Sequence, residues 1–282
     1  MELSLLSLIP QINSWLEEDD LNRNFFYTRN LPVHPVKLYL HIKSPLVLAG
    51  TDFFTATFVA LGIKPEVFSF FKTWEGRKFA AGEVIEIPTT IPFAVAVTGE
   101  RLALNLLQHG SSIATYTAAH VELAKKSQTK ILDTRKTTPG LRNLEKHAVR
   151  VGGGYNHRLG QTDVWMIKDN HKSSLGGLKG ALDFFQAQGA FYNNIIAEIH
   201  SIEELEEAIT LNVTHVMLDN FSPDKIKESL KLKKPGMTFE VSGGLKLSTL
   251  ADYLLPGVDA VSIGALTHSA PRVDLSLKYR SL

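Results

Sequence analysis

The strongest constraint on the fold of this chain is a regular alternation of short apolar runs and helical stretches after residue 130. Six runs close on or near a polar residue, at positions 131–133, 165–168, 195–198, 216–219, 238–240 and 261–263. Their last residues lie 21 to 35 positions apart, which leaves room for a return helix after each strand. One such helix is expected in residues 201–211, where Ser201 and Glu204 form a capping box. The alternation predicts parallel strands with right-handed crossovers.

The length of this region limits how the parallel strands can close. An eight-stranded β/α barrel needs roughly 250 residues, and residues 131–263 fall well short of that. A smaller or open barrel is therefore expected. In barrels and open parallel sheets alike, ligands bind at the carboxyl ends of the strands, so we expect the functional site at that edge.

The first hundred residues have a different pattern. Residues 36–42 and 83–87 alternate apolar and polar side chains, as half-buried strands do. Thr51 is expected to cap a helix that ends at Gly62. This mixture of strands and helices predicts a separate domain at the start of the chain.

A helical stretch connects the two patterns. Residues 100–126 carry apolar side chains at helical spacing, and Gly110 is expected to separate two helices there. We therefore predict an α/β protein with a first domain of residues 1–110, rejoined by residues 272–282, and a barrel domain of residues 111–271.

The charge balance and the absence of cysteine exclude several classes of function. Thirty Lys and Arg residues against 29 Asp and Glu residues give a net charge of +1, which produces no overall field to attract nucleic acid or an anionic membrane. Without cysteine there is no disulfide, thiolate nucleophile or cysteine-ligated metal centre. The first twenty residues have no basic segment of the kind that begins a secretion signal. A cytoplasmic protein without nucleic-acid or membrane partners is the expectation.

Charged side chains follow the predicted strands at the ligand-binding edge. These are Arg135, Lys136, Lys168, Glu198 and Asp219. Because parallel strands end at the same edge of a sheet, the five side chains are expected to converge. The alternatives are a structural ion pair of Lys168 with Asp169 or Asp219, and two unrelated strand-end acids.

Two polar loops add to this group. Residues 133–140 (DTRKTTPG) combine adjacent cations with three hydroxyl groups, a set that suits carboxylate or phosphate oxygens. Residues 151–158 (VGGGYNHR) place His157 and Arg158 behind three glycines that allow close approach of the backbone. The alternatives are a solvated basic loop and a flexible turn, respectively.

Acids and glycine-rich turns complete the predicted site. Glu198 and Asp219 are hard oxygen ligands that suit ribose hydroxyls and Mg²⁺. Residues 242–244 (SGG) and 263–265 (IGA) follow strands and are expected to begin helices, where backbone amides bind phosphate. Five cations, at positions 101, 135, 136, 158 and 168, against these two acids leave a surplus of three positive charges. A small, highly anionic substrate is expected.

In order and spacing, seven motifs of this chain closely resemble the quinolinate phosphoribosyltransferase family. They are residues 99–108 (GERLALNLLQ), 133–140, 156–160 (NHRLG), 167–171 (IKDNH), 218–220 (LDN), 242–244 and 262–271 (SIGALTHSAP). The resemblance covers roughly residues 45 to 280. It implies an N-terminal α/β sandwich joined to an open, incomplete α/β barrel, in a homodimer whose active sites borrow residues from the partner's N-terminal domain.

The resemblance also implies an activity, a pentosyl transfer of de novo NAD synthesis. Members of the family join quinolinate to phosphoribosyl pyrophosphate with Mg²⁺, and release pyrophosphate and carbon dioxide to leave nicotinate mononucleotide. By position, the implied catalytic residues are Lys168, Glu198 and Asp219, and the latter two are the implied metal ligands. The implied substrate-binding residues are Arg101 from the partner subunit, Thr134, Arg135, Lys136, His157, Arg158, Lys168, Glu198, Asp219, Ser242, Gly243, Gly244, Ile263, Gly264 and Ala265.

Two departures from the family pattern leave a second hypothesis open. The glycine-containing N-terminal signature of the family is replaced here by residues 17–24 (EEDDLNRN), and Ile196 stands where the family often has an acid. The alternative is a divergent paralogue that binds an oxyanion, similar to proteins associated with molybdenum transport.

Overall fold

The structure is a computed structural model that describes residues 3–22, 25–189 and 194–282, so positions 23 and 24 of the altered N-terminal signature lie outside it. The helices are α1 (Leu3–Glu18), α2 (Phe25–Asn30), α3 (Thr51–Ala60), α4 (Ser69–Lys72), α5 (Phe93–Ala124), α6 (Arg142–Val151), α7 (Asp169–Ser174), α8 (Gly177–Gln188), α9 (Ile202–Thr210), α10 (Pro223–Leu232) and α11 (Ala265–His268), with 3-10 turns at Pro65–Phe68 and Leu250–Tyr253. The strands are β1 (Pro35–Ile42), β2 (Leu46–Val47), β3 (Lys78–Phe79), β4 (Val84–Pro92), β5 (Lys130–Leu132), β6 (Trp165–Ile167), β7 (Ile195–Ile199), β8 (His215–Asp219), β9 (Thr238–Ser242), β10 (Ala260–Ser262) and β11 (Leu275–Ser281).

The chain divides into two compact units. Unit 1 comprises Met1–Tyr116, Gly140–Gly152 and Ala270–Leu282, and unit 2 comprises Thr117–Pro139 and Gly153–Ser269. Helix α6 thus groups with unit 1, although the chain on both sides of it belongs to unit 2. None of the described helices combines the length and apolar character needed to cross a membrane.

Unit 1 is built on a three-stranded antiparallel sheet of order β11-β1-β4. Strand β1 alternates buried and partly exposed residues, as the sequence predicts, and its buried side chains pack against a cluster of phenylalanines from α3, α4 and the 3-10 turn before α4. Strand β11, at the end of the chain, pairs with β1 along seven positions. The N-terminal sheet is therefore completed by the C-terminal segment.

The backbone N–H groups at the start of α3 are bound by a carboxylate, and not by the expected Thr51 cap. Thr51 is the first residue of the helix, and its hydroxyl donates to Glu75. The Glu75 carboxylate also accepts the backbone N–H groups of Gly50 and Thr51, at 2.9 and 3.0 Å, and contacts His147 Nε2 at 2.7 Å. Burial opposes the ionisation of Glu75, but these hydrogen bonds, from His147 first, hold its pKa below the usual range. In turn, the hydrogen bond to the Glu75 carboxylate raises the pKa of His147.

Glu75→Gln is expected to lower the free energy of unfolding by about 1.5 to 3 kcal/mol, the scale of hydrogen bonds to a charged group. The stabilisation by the ion pair is fully present between the ordinary pKa values of Glu, 4.5, and His, 6.5. It is lost as pH falls from the first value through the lowered pKa of Glu75, or rises from the second through the raised pKa of His147. Urea unfolding across this range checks both points. Glu86→Gln, which removes an exposed partner of Lys37, is the control and should change nothing measurable. Equal stability of the Glu75 variant and the wild type would contradict the expectation.

The expected break at Gly110 is wrong, because α5 runs unbroken from Phe93 to Ala124. A Cβ atom at Gly110 would lie 2.7 Å from the carbonyl oxygen of Ala49. The glycine therefore serves close packing of the helix against a neighbouring backbone, and it does not end the helix. The expected domain boundary at residue 110 consequently falls inside α5, and the two units divide at residues 116 and 117.

Unit 2 contains the predicted parallel sheet, with the strand order β5-β10-β9-β8-β7-β6. All six apolar runs form its strands. In the described residues, no strand pairing joins β6 to β5, and only Tyr155 continues the sheet beyond β5 through a bridge to Leu132. The predicted α/β class with an open barrel is confirmed. Ser201 also caps α9 as predicted, but Glu204 accepts the N–H of His200 and not that of Ser201.

Candidate active site

The charged side chains at the carboxyl edge of the parallel sheet form two groups of opposite charge. Lys168 follows β6, Glu198 lies in β7, and Asp219 ends β8. Lys168 Nζ lies 3.0 Å from Glu198 Oε2, so Lys168 is paired with a different acid from the two that the sequence suggested. This ion pair links the two groups.

The first group lines a cavity of about 860 Å³ in unit 2, which we call the basic cavity. Its lining comprises Arg135, Arg158, Gln161, Trp165, Met166, Lys168, Asn170, His171, Ser174, Leu175, Phe184, Phe185 and Gln188. Three of these residues are cationic and none is a carboxylate. Arg135 Nε and Trp165 Nε1 are buried without a hydrogen-bond partner in the described parts of the chain. The lining of the cavity therefore combines positive charge with aromatic surface, and two of its residues carry unsatisfied donors.

Arg158 is held in this cavity by two hydrogen bonds and lies close to a second cation. Its Nη1 donates to the carbonyl oxygens of Gln161 and Val164, at 3.0 and 3.1 Å. Burial, and then the like charge of Arg135, lower the pKa of Arg158. An anion bound between two such guanidinium groups would relieve their repulsion and satisfy their donors.

His157 is oriented by residues on both sides of its ring. Nδ1 accepts the backbone N–H of Arg158 at 2.7 Å, so the proton of a neutral ring is on Nε2, which lies 3.3 Å from Glu240 Oε2. The backbone N–H of His157 donates to Asp133 Oδ1 at 2.8 Å, and Asn156 donates to the other oxygen of this fully buried carboxylate. Glu240 and Asp133 end or follow predicted strands, but they were not among the residues selected from the sequence.

The second group, which we call the acid cluster, consists of Asp169, Glu198, Glu204 and Asp219 around His200. His200 Nε2 lies 3.4 Å from Asp219 Oδ2 and 3.6 Å from Glu198 Oε1. Lys172 is buried behind the cluster, where its Nζ lies 3.0 Å from both oxygens of Glu204 and donates to the carbonyl oxygen of Glu198. Neither His200 nor Lys172 was selected from the sequence, because neither ends an apolar run.

The acid cluster is suited to a divalent cation. Its four carboxylates exceed the two ammonium groups of Lys168 and Lys172 by two charges when His200 is neutral. Carboxylate oxygens are the ligands that Mg²⁺ prefers, and those of Glu198 and Asp219 face the same ring nitrogen. Ligand atoms of Asp169, Glu198 and His200 also lie within 4.8 Å of one another. The residues present therefore fit a metal ion.

The two glycine-containing turns differ from each other. Gly243 and Gly244 both have positive φ, of 100° and 61°, and the segment after them folds as turns and the short 3-10 helix Leu250–Tyr253. The expected helix start after residue 244 is wrong, because two successive left-handed residues turn the backbone away from a helical path. Asn220 packs against Gly243, and its N–H donates to the carbonyl oxygen of Ser242 at 2.9 Å. This contact fixes the turn to the end of β8.

The turn at residues 263–265 does precede a helix, the single turn α11. The Lys136 side chain lies across Gly264. The backbone carbonyl oxygen of Lys136 accepts a hydrogen bond from the Thr267 hydroxyl at 2.7 Å. Thr134 Oγ1 accepts the N–H of Lys136 at 3.0 Å. These contacts bring the loop after β5 and the turn after β10 together, and Lys136 is exposed there.

Arg101 lies in unit 1, on α5, with an exposed side chain. The neighbouring Glu100 accepts a hydrogen bond from the Tyr279 hydroxyl on β11. Burial, and then this carboxylate, raise the pKa of Tyr279. The turn of α5 that carries Arg101 is thus tied to the N-terminal sheet.

Comparison with known proteins gives consistent matches. Residues 113–278 match the family described as quinolinate phosphoribosyl transferase, C-terminal domain. Nicotinate-nucleotide pyrophosphorylase [carboxylating] of Homo sapiens is 35% identical over 97% of this chain and 92% of its own. The protein named probable nicotinate-nucleotide pyrophosphorylase [carboxylating] of Bacillus subtilis is 43% identical over 72% of this chain and 70% of its own. NadC from Streptococcus pyogenes has a similar structure, with a TM-score of 0.88 at 34% identity, over 100% of this chain and 99% of that one.

Proposed function

Because the chain belongs to the quinolinate phosphoribosyltransferase family, we propose that it is a carboxylating nicotinate-nucleotide pyrophosphorylase. It transfers the phosphoribosyl group of phosphoribosyl pyrophosphate to quinolinate, and it releases pyrophosphate and carbon dioxide to leave nicotinate mononucleotide. The observation that carries this function is the basic cavity beside the acid cluster, linked by the ion pair of Lys168 with Glu198. One substrate is a dicarboxylate and the other is a sugar phosphate that binds metal, so the two groups match the two substrates.

The basic cavity is proposed to hold quinolinate. The two carboxylates of quinolinate would accept hydrogen bonds from Arg135, Arg158 and Lys168. The Nε of Arg135, which has no hydrogen-bond partner in the described residues, supports this assignment. His157, which accepts the N–H of Arg158 and faces Glu240, is proposed to position Arg158 for this contact. Such a clamp would aim the ring nitrogen of quinolinate at the anomeric carbon of the ribose, which lowers the entropic part of the barrier.

The acid cluster is proposed to hold the ribose and Mg²⁺ of the second substrate. Glu198 and Asp219 are the proposed ligands, supported by the excess of two negative charges in the cluster. When bound, Mg²⁺ would neutralise the pyrophosphate leaving group and make its departure easier. Lys136, Thr134 and the turns at residues 242–244 and 263–265 are the proposed phosphate contacts, through ammonium, hydroxyl and backbone N–H groups.

The proposed reaction needs no covalent bond to the protein. As the bond from the anomeric carbon to pyrophosphate breaks, positive charge develops on the ribose, and the carboxylates of Glu198 and Asp219 stabilise it. The ring nitrogen of quinolinate then bonds to that carbon and becomes cationic. The neighbouring carboxylate leaves as carbon dioxide, and its bonding electron pair stays on the ring carbon, stabilised by the adjacent cationic nitrogen, until that carbon takes up a proton.

A homodimer in which Arg101 of a second copy reaches the basic cavity is part of the proposal. The exposure of Arg101 and the attachment of its helical turn to β11 through Glu100 and Tyr279 support this role. Location in the cytoplasm is also proposed, because a substrate with the charge of phosphoribosyl pyrophosphate does not cross a membrane unaided.

Incubation of the purified protein with quinolinate, phosphoribosyl pyrophosphate and Mg²⁺ should yield nicotinate mononucleotide and one equivalent each of pyrophosphate and carbon dioxide. Chromatography of the nucleotide and capture of labelled carbon dioxide measure both products. Reactions that lack either substrate serve as controls. Folded protein that forms no nucleotide under these conditions would refute the proposed activity.

The relatives described above carry the name of the enzyme, and nothing in them favours the alternative of an oxyanion-binding paralogue. The two departures from the family pattern do not remove a proposed ligand of either substrate. Calorimetric titration with molybdate and with quinolinate separates the two hypotheses, and we expect binding of quinolinate.

A further inference from the structure

Glu240 is a nearly buried carboxylate to which the proposed function gives no role. It lies in β9, between β8 and β10 in the sheet, and its side chain is 12% exposed. Its neighbours in strand register are Met217 and Ala260, whose side chains are apolar. Oε1 is buried without a hydrogen-bond partner in the described residues, and Oε2 lies 3.3 Å from Nε2 of His157. A carboxylate in such surroundings is costly unless it is paired, so the contact with the His157 ring offsets its burial.

The tautomer of His157 is set by the groups on both sides of the ring. Nδ1 accepts the backbone N–H of Arg158 at 2.7 Å. A backbone N–H can only donate, so Nδ1 carries a lone pair and the ring proton lies on Nε2. Nε2 is the nitrogen that faces Glu240, and the negative charge of a carboxylate at 3.3 Å stabilises a proton there. The two contacts therefore favour the same tautomer.

Loss of the carboxylate would weaken this preference of the ring. A neutral histidine can carry its proton on either nitrogen. With an apolar residue at position 240, the tautomer with the proton on Nδ1 becomes more populated. In that tautomer, Nδ1–H meets the N–H of Arg158, and the hydrogen bond between them is lost. The backbone at Arg158 then has one contact fewer.

The backbone position of Arg158 determines where its guanidinium group lies in the basic cavity. Nη1 reaches the carbonyl oxygens of Gln161 and Val164, at 3.0 and 3.1 Å. A clamp needs its donors at fixed positions, since a displacement of about 1 Å can cost on the order of 100-fold in rate. The contacts from Glu240 to His157 and from His157 to Arg158 therefore connect a central strand of the sheet to the clamp.

We propose that Glu240 is a positioning residue for quinolinate, which acts through the tautomer of His157 on the backbone of Arg158. The inference rests on the proposed function, in which Arg158 binds a carboxylate of quinolinate. It assigns a role to an acid that needs no contact with either substrate, and it accounts for a carboxylate between apolar neighbours in β9. Because the acid acts on the clamp alone, its removal affects one substrate and spares the other.

Calorimetric titration of the purified full-length protein with quinolinate alone and with phosphoribosyl pyrophosphate alone tests the proposal without turnover. Glu240→Met removes the carboxylate at similar size. We expect it to weaken quinolinate binding about tenfold, the effect of one hydrogen bond, and to leave the affinity for phosphoribosyl pyrophosphate unchanged. Glu240→Gln keeps an acceptor for Nε2–H in its side-chain carbonyl oxygen, so it should recover most of the lost affinity. Glu228→Met, which removes an exposed carboxylate of the same unit, controls for net charge and should change neither affinity.

Nitrogen-15 NMR of the histidine rings gives a readout that a purely structural role would not change. The signals of His157 are identified by their absence from His157→Gln. We expect a protonated Nε2 and an unprotonated Nδ1 in the wild type and in Glu240→Gln, and a mixture of tautomers in Glu240→Met. A wild-type ring with its proton on Nδ1 would overturn the proposal. So would unchanged quinolinate affinity of Glu240→Met, or equal weakening of both substrates, which would mean that the acid only stabilises the fold.

Glu240→Asp takes the place of Glu240→Met in the same titrations if the methionine variant does not fold by circular dichroism. The shorter side chain keeps the charge but draws the carboxylate back from Nε2. Quinolinate binding should still weaken, and binding of phosphoribosyl pyrophosphate should not. A wild-type protein that binds no quinolinate would exclude the proposed function, whereas the ring signals of His157 test the contact with Glu240 on their own.

Discussion

Arg135→Ala is expected to weaken quinolinate binding by about 1.5 to 3 kcal/mol, or roughly 10- to 150-fold, the scale of hydrogen bonds to a charged group. Arg135 lines the basic cavity, and its buried Nε has no hydrogen-bond partner in the described residues. Truncation therefore removes a donor that quinolinate would satisfy and breaks no contact of Nε within the protein. The affinity for phosphoribosyl pyrophosphate should stay the same. Calorimetric titration with each substrate measures both effects.

Lys168→Ala should lower quinolinate affinity on the same scale of about 1.5 to 3 kcal/mol, but it should also affect the second substrate. Lys168 is the partner of Glu198, so its loss leaves a nearly buried carboxylate without its counter-charge. Lys179→Ala, which removes an exposed cation of the same unit paired with Asp183, is the control for net charge. Unchanged dissociation constants in both cavity variants would exclude Arg135 and Lys168 from the site.

Gly243→Ala is expected to have the largest effect on stability, because the new side chain meets both a backbone and a steric restriction. At φ 100° the residue lies in the left-handed region, which costs about 1 to 2 kcal/mol for alanine. The Cβ atom would also overlap the Asn220 side chain and lie 2.7 Å from its backbone nitrogen. Overpacking adds about 1 to 3 kcal/mol, so we expect a total loss of about 2 to 5 kcal/mol and weaker binding of phosphoribosyl pyrophosphate.

Gly236→Ala separates the two contributions in the Gly243 experiment. Gly236 has a similar positive φ of 86°, but a Cβ atom there would have no neighbour within 4 Å. Its replacement should therefore cost only the backbone term of about 1 to 2 kcal/mol. Urea unfolding compares the two variants. Equal loss of stability in both would mean that the contact with Asn220 does not restrict the turn.

The parallel sheet was predictable because each strand carries its own local signal. The run at residues 216–219 is apolar and ends on Asp219, and β8 covers it in the structure. Since parallel strands end at one edge, the convergence of Lys168 and Glu198 follows from the same signal. The motif resemblance then gave these positions a chemical role that spacing alone does not provide.

The sequence did not predict contacts that arise between different strands and loops. His200 lies between Glu198 and Asp219 only because β7 and β8 are neighbours in the sheet. Glu240 reaches His157 from a strand more than eighty positions away in the chain. Gly110 was misjudged for a related reason, since its function depends on the approach of Ala49, which no local pattern reveals.

The single ion pair between Lys168 and Glu198 has a consequence for the energetics of the two substrates. One ammonium group cannot neutralise Glu198 and a bound carboxylate to the full extent at the same time. Occupation of the basic cavity therefore changes the free energy of ligand binding at the acid cluster. By thermodynamic linkage, the reverse effect has the same size. With both substrates bound as proposed, we expect their binding to be coupled through this one side chain.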